Sequence, residues 1–80
     1  MRETSRLPIF RERFVKLRCN LSMSQAQFAE YLGISRPTVG LYESGERIPD
    51  AKTLQNIALK CGVSADYLLG IDPRSSSEAT

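Results

Sequence analysis

The chain carries little equipment for making or breaking covalent bonds. It has no histidine, and histidine is both the commonest general base and the commonest metal ligand. Carboxylates, Lys, Tyr and Cys remain, but their spacing nowhere assembles a nucleophile, a base and an orienting group. Cys19 and Cys61 stand far apart with no C-x-x-C pattern. In a reducing compartment such a pair reads as two small core hydrophobes, neither a bridge nor a metal site. Catalysis, a bound metal and a cofactor are therefore not expected. What is left is the chemistry of hydrogen bonding and charge. Eleven Lys and Arg against nine Asp and Glu leave a net charge of +2, a balance that permits contact with phosphates without demanding it.

One stretch holds such groups in an unusual setting. ISRPTVGLYESG, residues 34–45, has the marks of a short helix opening on Ser35 and stopping at Gly45, yet it contains Pro37 and Gly40. Pro is tolerated in a first turn because its missing N–H has no partner there, although it disfavours helical geometry at Arg36 and lets the cap slip by one residue. Gly40 costs about 1 kcal/mol against Ala in an exposed helix interior, a loss that close approach to another surface would offset. The alternative is that Gly40 is tolerated drift and Leu41 a scattered surface apolar residue.

The elements that must position this stretch are helical. Apolar periodic segments alternate with caps and glycines, no period-2 run is present, and β-branched clusters are few, so an all-α, compact five-helix bundle is expected. The first helix runs from Pro8 to about Cys19, with Phe10, Phe14 and Leu17 as its core stripe. Ser24 and Gln27 form a capping box for the second, which Phe28, Ala29 and Leu32 line and Gly33 ends. Asp50 caps the fourth, striped by Leu54, Ile57, Ala58 and Cys61; Ser64 caps a short fifth carrying Tyr67, Leu68 and Leu69. Residues 1–7 read as a flexible arm, 8–71 as the domain and 72–80, serine-rich, as a disordered tail or linker. No window approaches the roughly 18 apolar residues of a membrane span and no secretory signal is evident, so a soluble cytoplasmic protein is expected.

The joint spacing of residues 25 to 44 is the most specific signal. Two helices crossing steeply over a tight turn need a small residue at the crossing, a glycine at the turn and apolar residues locking the second helix down; Ala29, Gly33, Val39 and Tyr42 fill those roles. With SQ opening one helix, LGIS at the turn and YESGER and IP beyond, residues 17–70 resemble the helix-turn-helix domain of the phage repressor and Cro family, also called the xenobiotic-response-element type.

That resemblance implies binding of double-stranded DNA as a bacterial or phage transcriptional regulator, a repressor, with the third helix in the major groove. Gln25 would contact a phosphate, aided by free backbone N–H groups at the start of its helix. Arg36, Pro37 and Thr38 would form the leading edge, with Gly40 and Leu41 one turn further: Arg36 bidentate to a guanine, Thr38 on a phosphate, Pro37 and Leu41 against thymine methyls. Arg47 and, more weakly, Lys52 are phosphate candidates. Arg18 and Glu43 would meet as a partly buried ion pair that orients the reading helix. A homodimer on a palindromic operator is expected, with Tyr67, Leu68, Leu69 and Ile71 as candidate dimer surface. The rival reading is a protein-interaction module on the same fold, antitoxin-like or binding a sigma factor or antagonist through Pro37 and Leu41.

Overall fold

The computed structural model describes residues 8–71, so the expected arm and tail lie outside the described residues. Five α-helices follow one another: α1 (Pro8–Asn20), α2 (Gln25–Leu32), α3 (Arg36–Ser44), α4 (Ala51–Cys61) and α5 (Ala65–Leu69). No strand occurs among the described residues.

The core is built on aromatic rings carried by α1. Phe14 is fully buried; its ring centroid lies 5.3 Å from Phe10, 5.0 Å from Phe28 of α2 and 5.6 Å from Tyr42 of α3, the last edge-on at 85°. Edge-to-face contacts of this kind add to the area the rings remove from water. Ala29, Leu32, Val39, Ile57, Ala58 and Leu68 complete the buried cluster, with Leu17, Leu54, Cys61 and Tyr67 packed partly against it. The small Ala29 and the fully buried Val39 thus stand on the two helices flanking the tight turn.

Each helix from α2 onward begins on an oxygen-bearing cap: Ser24, Ser35, Asp50 and Ser64 accept from the N–H three residues on. Ser24 and Gln27 form the reciprocal capping box. Each then ends with a glycine in the left-handed region. At the α2–α3 turn, Gly33 has φ 74°, and its N–H reaches Glu30 O at 3.2 Å while the Ile34 N–H reaches Ala29 O at 3.0 Å, the paired closure of a Schellman motif. A Cβ on Gly33 would meet nothing within 4 Å; the backbone angle, not space, selects glycine there.

The carboxylate cap of α4 makes folding depend on acidity. The Thr53 backbone N–H donates to Asp50 Oδ1 at 2.8 Å, and this bond, followed by the Thr53 side chain and Lys52, holds the Asp50 carboxyl below its ordinary range. A carboxyl lowered in the folded state stabilises it fully above the unfolded value, and that stabilisation is lost as pH falls through the lowered one. Thermal melts from neutral pH into acid should accordingly show a smaller decline for Asp50→Asn, which keeps an acceptor but does not titrate, than for the natural chain.

Several ties were not anticipated. The Tyr31 hydroxyl donates to Lys60 O at 2.6 Å and its ring stacks on Phe28 at 13°, fastening α2 to the end of α4. Asn56 Nδ2 donates to Leu32 O at 2.9 Å, satisfying one of the carbonyls left free at the end of α2. Arg13 sits 4.5 Å over the Tyr67 ring and donates to Tyr67 O, pinning α5 to α1. Two expectations need correction. Cys61 is half-buried, its thiol pushed up by burial, but Cys19 is exposed and is no core residue. Leu68 is fully buried, so only Ile71, 56% exposed, stands well clear on the proposed dimer surface.

Candidate nucleic-acid interface

The orientation of α3 follows from what it buries. Val39 and Tyr42 face the core. At about 100° per residue, Pro37, Gly40, Leu41 and Ser44 then fall on the opposite arc, and Arg36 stands at its edge, about 90° from the middle of the buried face. Arg36, Pro37 and Ser44 are exposed, and Gly40 and Leu41 half-buried. The proline does not displace the cap: Ser35 remains the N-cap, in extended geometry at ψ 153°, and its Oγ accepts the Thr38 N–H at 3.2 Å. Arg36 and Pro37 thus occupy the first turn, where Pro removes no hydrogen bond.

Thr38 is less free than its sequence position implies. Its hydroxyl lies 2.6 Å from Ser35 Oγ. One hydroxyl proton is used between the two oxygens, leaving the other hydroxyl of the pair as an outward donor. Ser44 is also engaged, donating to Leu41 O at 3.1 Å and accepting the Glu46 N–H at 3.3 Å. Gly40 has open space: a Cβ there would meet nothing within 4 Å, so nothing inside the fold requires a glycine.

Behind this face lies a polar cluster at the junction of three helices. Arg18 Nε donates to Glu43 Oε2 at 2.6 Å and Nη2 to Oε1 at 3.2 Å, a bidentate pair, while Nη1 reaches Met23 O at 3.0 Å. The side chains are 20% and 10% exposed respectively. The Glu43 hydrogen bond raises the Arg18 pKa beyond its already high value, with burial acting against it. One guanidinium therefore ties α1 to the last turn of α3 and to the connection before α2.

Gln25 makes a contact within the protein that its sequence position does not announce. Its Nε2 donates to Glu43 Oε1 at 2.9 Å, so part of its carboxamide is turned into the protein. The sequence did not disclose this link; only the placement of the start of α2 beside the end of α3 does.

Beyond α3, Arg47 and Lys52 are both exposed, in the connection to α4 and in its first turn. Among the described residues Arg18–Glu43 is the only ion pair, which leaves Arg36, Arg47 and Lys52 without a carboxylate at ion-pair distance there, although Lys52 acts on Asp50 from further off. Arg47 lies close enough to Tyr42 to act on its phenol, although burial outweighs that influence and raises the Tyr42 pKa. A shallow depression between α1 and α5, lined by Glu12, Arg13, Val15, Lys16 and Tyr67, shares no residue with this face.

Comparison with known proteins bears on the family and the fold. Residues 15–68 match the Helix-turn-helix family, and the chain belongs to it, in the branch typified by phage repressors and Cro. It is similar to the SPbeta prophage-derived uncharacterized HTH-type transcriptional regulator YonR of Bacillus subtilis, 44% identical over 61 residues, 76% of this chain and 56% of that one. The cryptic phage CTXphi transcriptional repressor RstR of Vibrio cholerae is 38% identical over 60 residues, 75% of this chain and 54% of that protein. The chain thus spans about half the length of these curated relatives. The crystal structure of the hypothetical transcription factor NHTF from Neisseria superposes with a TM-score of 0.72 at 22% identity, covering 89% of this chain and 79% of that one, a likeness of fold.

Proposed function

We propose that this protein binds double-stranded DNA sequence-specifically as a transcriptional repressor of bacterial or phage origin, acting in the cytoplasm with α3 in the major groove. The observation that carries the reading is Arg36: an exposed guanidinium at the leading edge of a helix whose other face is locked into the core, with no intramolecular carboxylate partner among the described residues. A bidentate contact from Arg36 to guanine O6 and N7 supplies base discrimination. Pro37 and Leu41 press on thymine methyls, and the outward hydroxyl of the Ser35–Thr38 pair, Arg47 and Lys52 bond phosphates and set the register. Of the two apolar residues that a protein partner on this face would use, Leu41 is half-buried and Pro37 alone is exposed.

One such module has a small footprint, and two copies related by a two-fold axis supply the remaining specificity. Selection of bound sites from random duplex DNA tests this. The expected product is a palindromic motif with half-site centres about one helical turn, roughly 34 Å, apart. Affinity should fall linearly with salt on logarithmic axes, in proportion to the phosphates contacted. Recovery of no enriched sequence, or affinity indifferent to salt, would refute the proposal.

Gly40 supplies an independent check. Alanine there fills open space and is the better helix former, so Gly40→Ala should raise stability by about 1 kcal/mol in denaturant titrations. If the glycine lets the helix approach the groove closely, the same substitution weakens binding of the selected duplex. Unchanged affinity would return Gly40 to tolerated drift.

A further inference from the structure

The Gln25 carboxamide is restrained from within the protein. Its Nε2 donates to Glu43 Oε1 at 2.9 Å, and that oxygen also accepts from Arg18 Nη2 at 3.2 Å. An ionised carboxylate can only accept, so the contact dictates which end of the Gln25 carboxamide is the nitrogen. One Nε2 hydrogen is committed; the second hydrogen is left for another acceptor. Gln25 is also the first residue of α2, where backbone N–H groups lack intrahelical acceptors, and Ser24 Oγ is already occupied by the Gln27 N–H.

We propose that Glu43 is a positioning residue for the phosphate contact at the start of α2. Held in place by Arg18, it aims the Gln25 carboxamide so that the second Nε2 hydrogen reaches a phosphate oxygen. The inference rests on the DNA-binding reading above. Left alone, the Glu43 charge would repel a phosphate; the bidentate Arg18 guanidinium neutralises it, so the cluster offers the backbone a donor on a neutral support. A carboxamide already fixed also loses less rotamer freedom on binding than a loose one. Because the same carboxylate joins α3 to α1, a single group sets both the tilt of the reading helix and the register of the phosphate contact.

The test compares Gln25→Ala in the natural chain with Gln25→Ala in an Arg18→Met/Glu43→Met background. That background replaces the ion pair with apolar side chains and leaves no uncompensated charge, a change that buried pairs often tolerate. The probe is the duplex selected from random DNA. In the natural chain Gln25→Ala should weaken binding about tenfold, as expected for losing a hydrogen bond to a charged acceptor. In the apolar background the same change should have almost no further effect, because the carboxamide is no longer aimed. A purely structural role for the pair leaves the loss undiminished in both backgrounds, which overturns the inference while the DNA-binding reading stands. A natural chain that binds no duplex overturns both.

If the apolar background does not fold, nitrogen-15 relaxation of the side-chain amides in the natural chain decides the matter. The Gln25 NH2 should be ordered in the free protein, in contrast to the exposed Gln55. A Gln25 amide as mobile as that of Gln55 removes the basis of the proposal.

Discussion

Arg18→Ala is expected to lower stability by about 2 to 3 kcal/mol, between the large loss for breaking a fully buried pair and the small one for an exposed pair. The intermediate figure follows from the geometry: the Arg18 and Glu43 side chains retain 20% and 10% exposure, and the contact is bidentate. Truncating Arg18 leaves the Glu43 carboxylate without a counter-charge, with Gln25 Nε2 still donating to it, and leaves Met23 O without its donor. Glu43→Ala should cost somewhat less, since Arg18 keeps its bond to that carbonyl. A domain of this size commonly holds about 3 to 5 kcal/mol in all, so either substitution should leave a visibly unfolded population. The double variant should lose less than the two single losses combined, the mark of residues in direct contact. Strict additivity in denaturant titrations would show that the pair is geometrically close but energetically idle.

Most of the fold was legible because the local signals agree with one another. Ser24, Ser35, Asp50 and Ser64 cap the helices, and Gly33, Gly45, Gly62 and Gly70 terminate them. Such agreement between cap, period and stop is what makes a sequence specify one structure. The apolar stripes placed the core for the same reason. Contacts between elements with no periodic signature were less legible. Tyr31 lies on no core stripe of α2, so its bond to Lys60 O, across the gap to α4, could not be anticipated. Arg13 presents the same difficulty: an arginine on a helix flank gives no sign that it covers the Tyr67 ring. Cys19 was misplaced because cysteine is usually buried, whereas here the end of α1 leaves it exposed.

The proposed site shows the same division. The opening of α3 on Ser35 and the outward arc from Arg36 to Leu41 follow from cap and helical period. The turning of Gln25 toward Glu43 does not, since those residues stand 18 positions apart on different helices. Nor could the Ser35–Thr38 hydroxyl pair be told from an ordinary N-cap by residue type alone.

Arg36→Ala should separate stability from recognition. Arg36 is exposed, has no ion-pair partner among the described residues, and lies in the first turn of α3. A positive charge there opposes the helix dipole, an unfavourable placement by about 0.3 to 1 kcal/mol. Alanine relieves that opposition and adds helix propensity, so folding stability should hold or rise slightly. Discrimination at one base pair of the selected site should meanwhile fall by about 1 to 3 kcal/mol, up to roughly a hundredfold. Arg47→Ala is the control: a phosphate contact carries no base information, so its loss should weaken every duplex nearly equally and make the salt slope shallower by about 1. The measurement is a set of titrations against the selected site and its single-base variants, at several salt concentrations. If Arg36→Ala weakens all duplexes alike, Arg36 is a backbone contact and base reading passes to the rest of the arc. Helix α3 is thus locally suboptimal at both Arg36 and Gly40, where alanine would suit the isolated helix better, and at both the compensation proposed lies in the groove outside the protein.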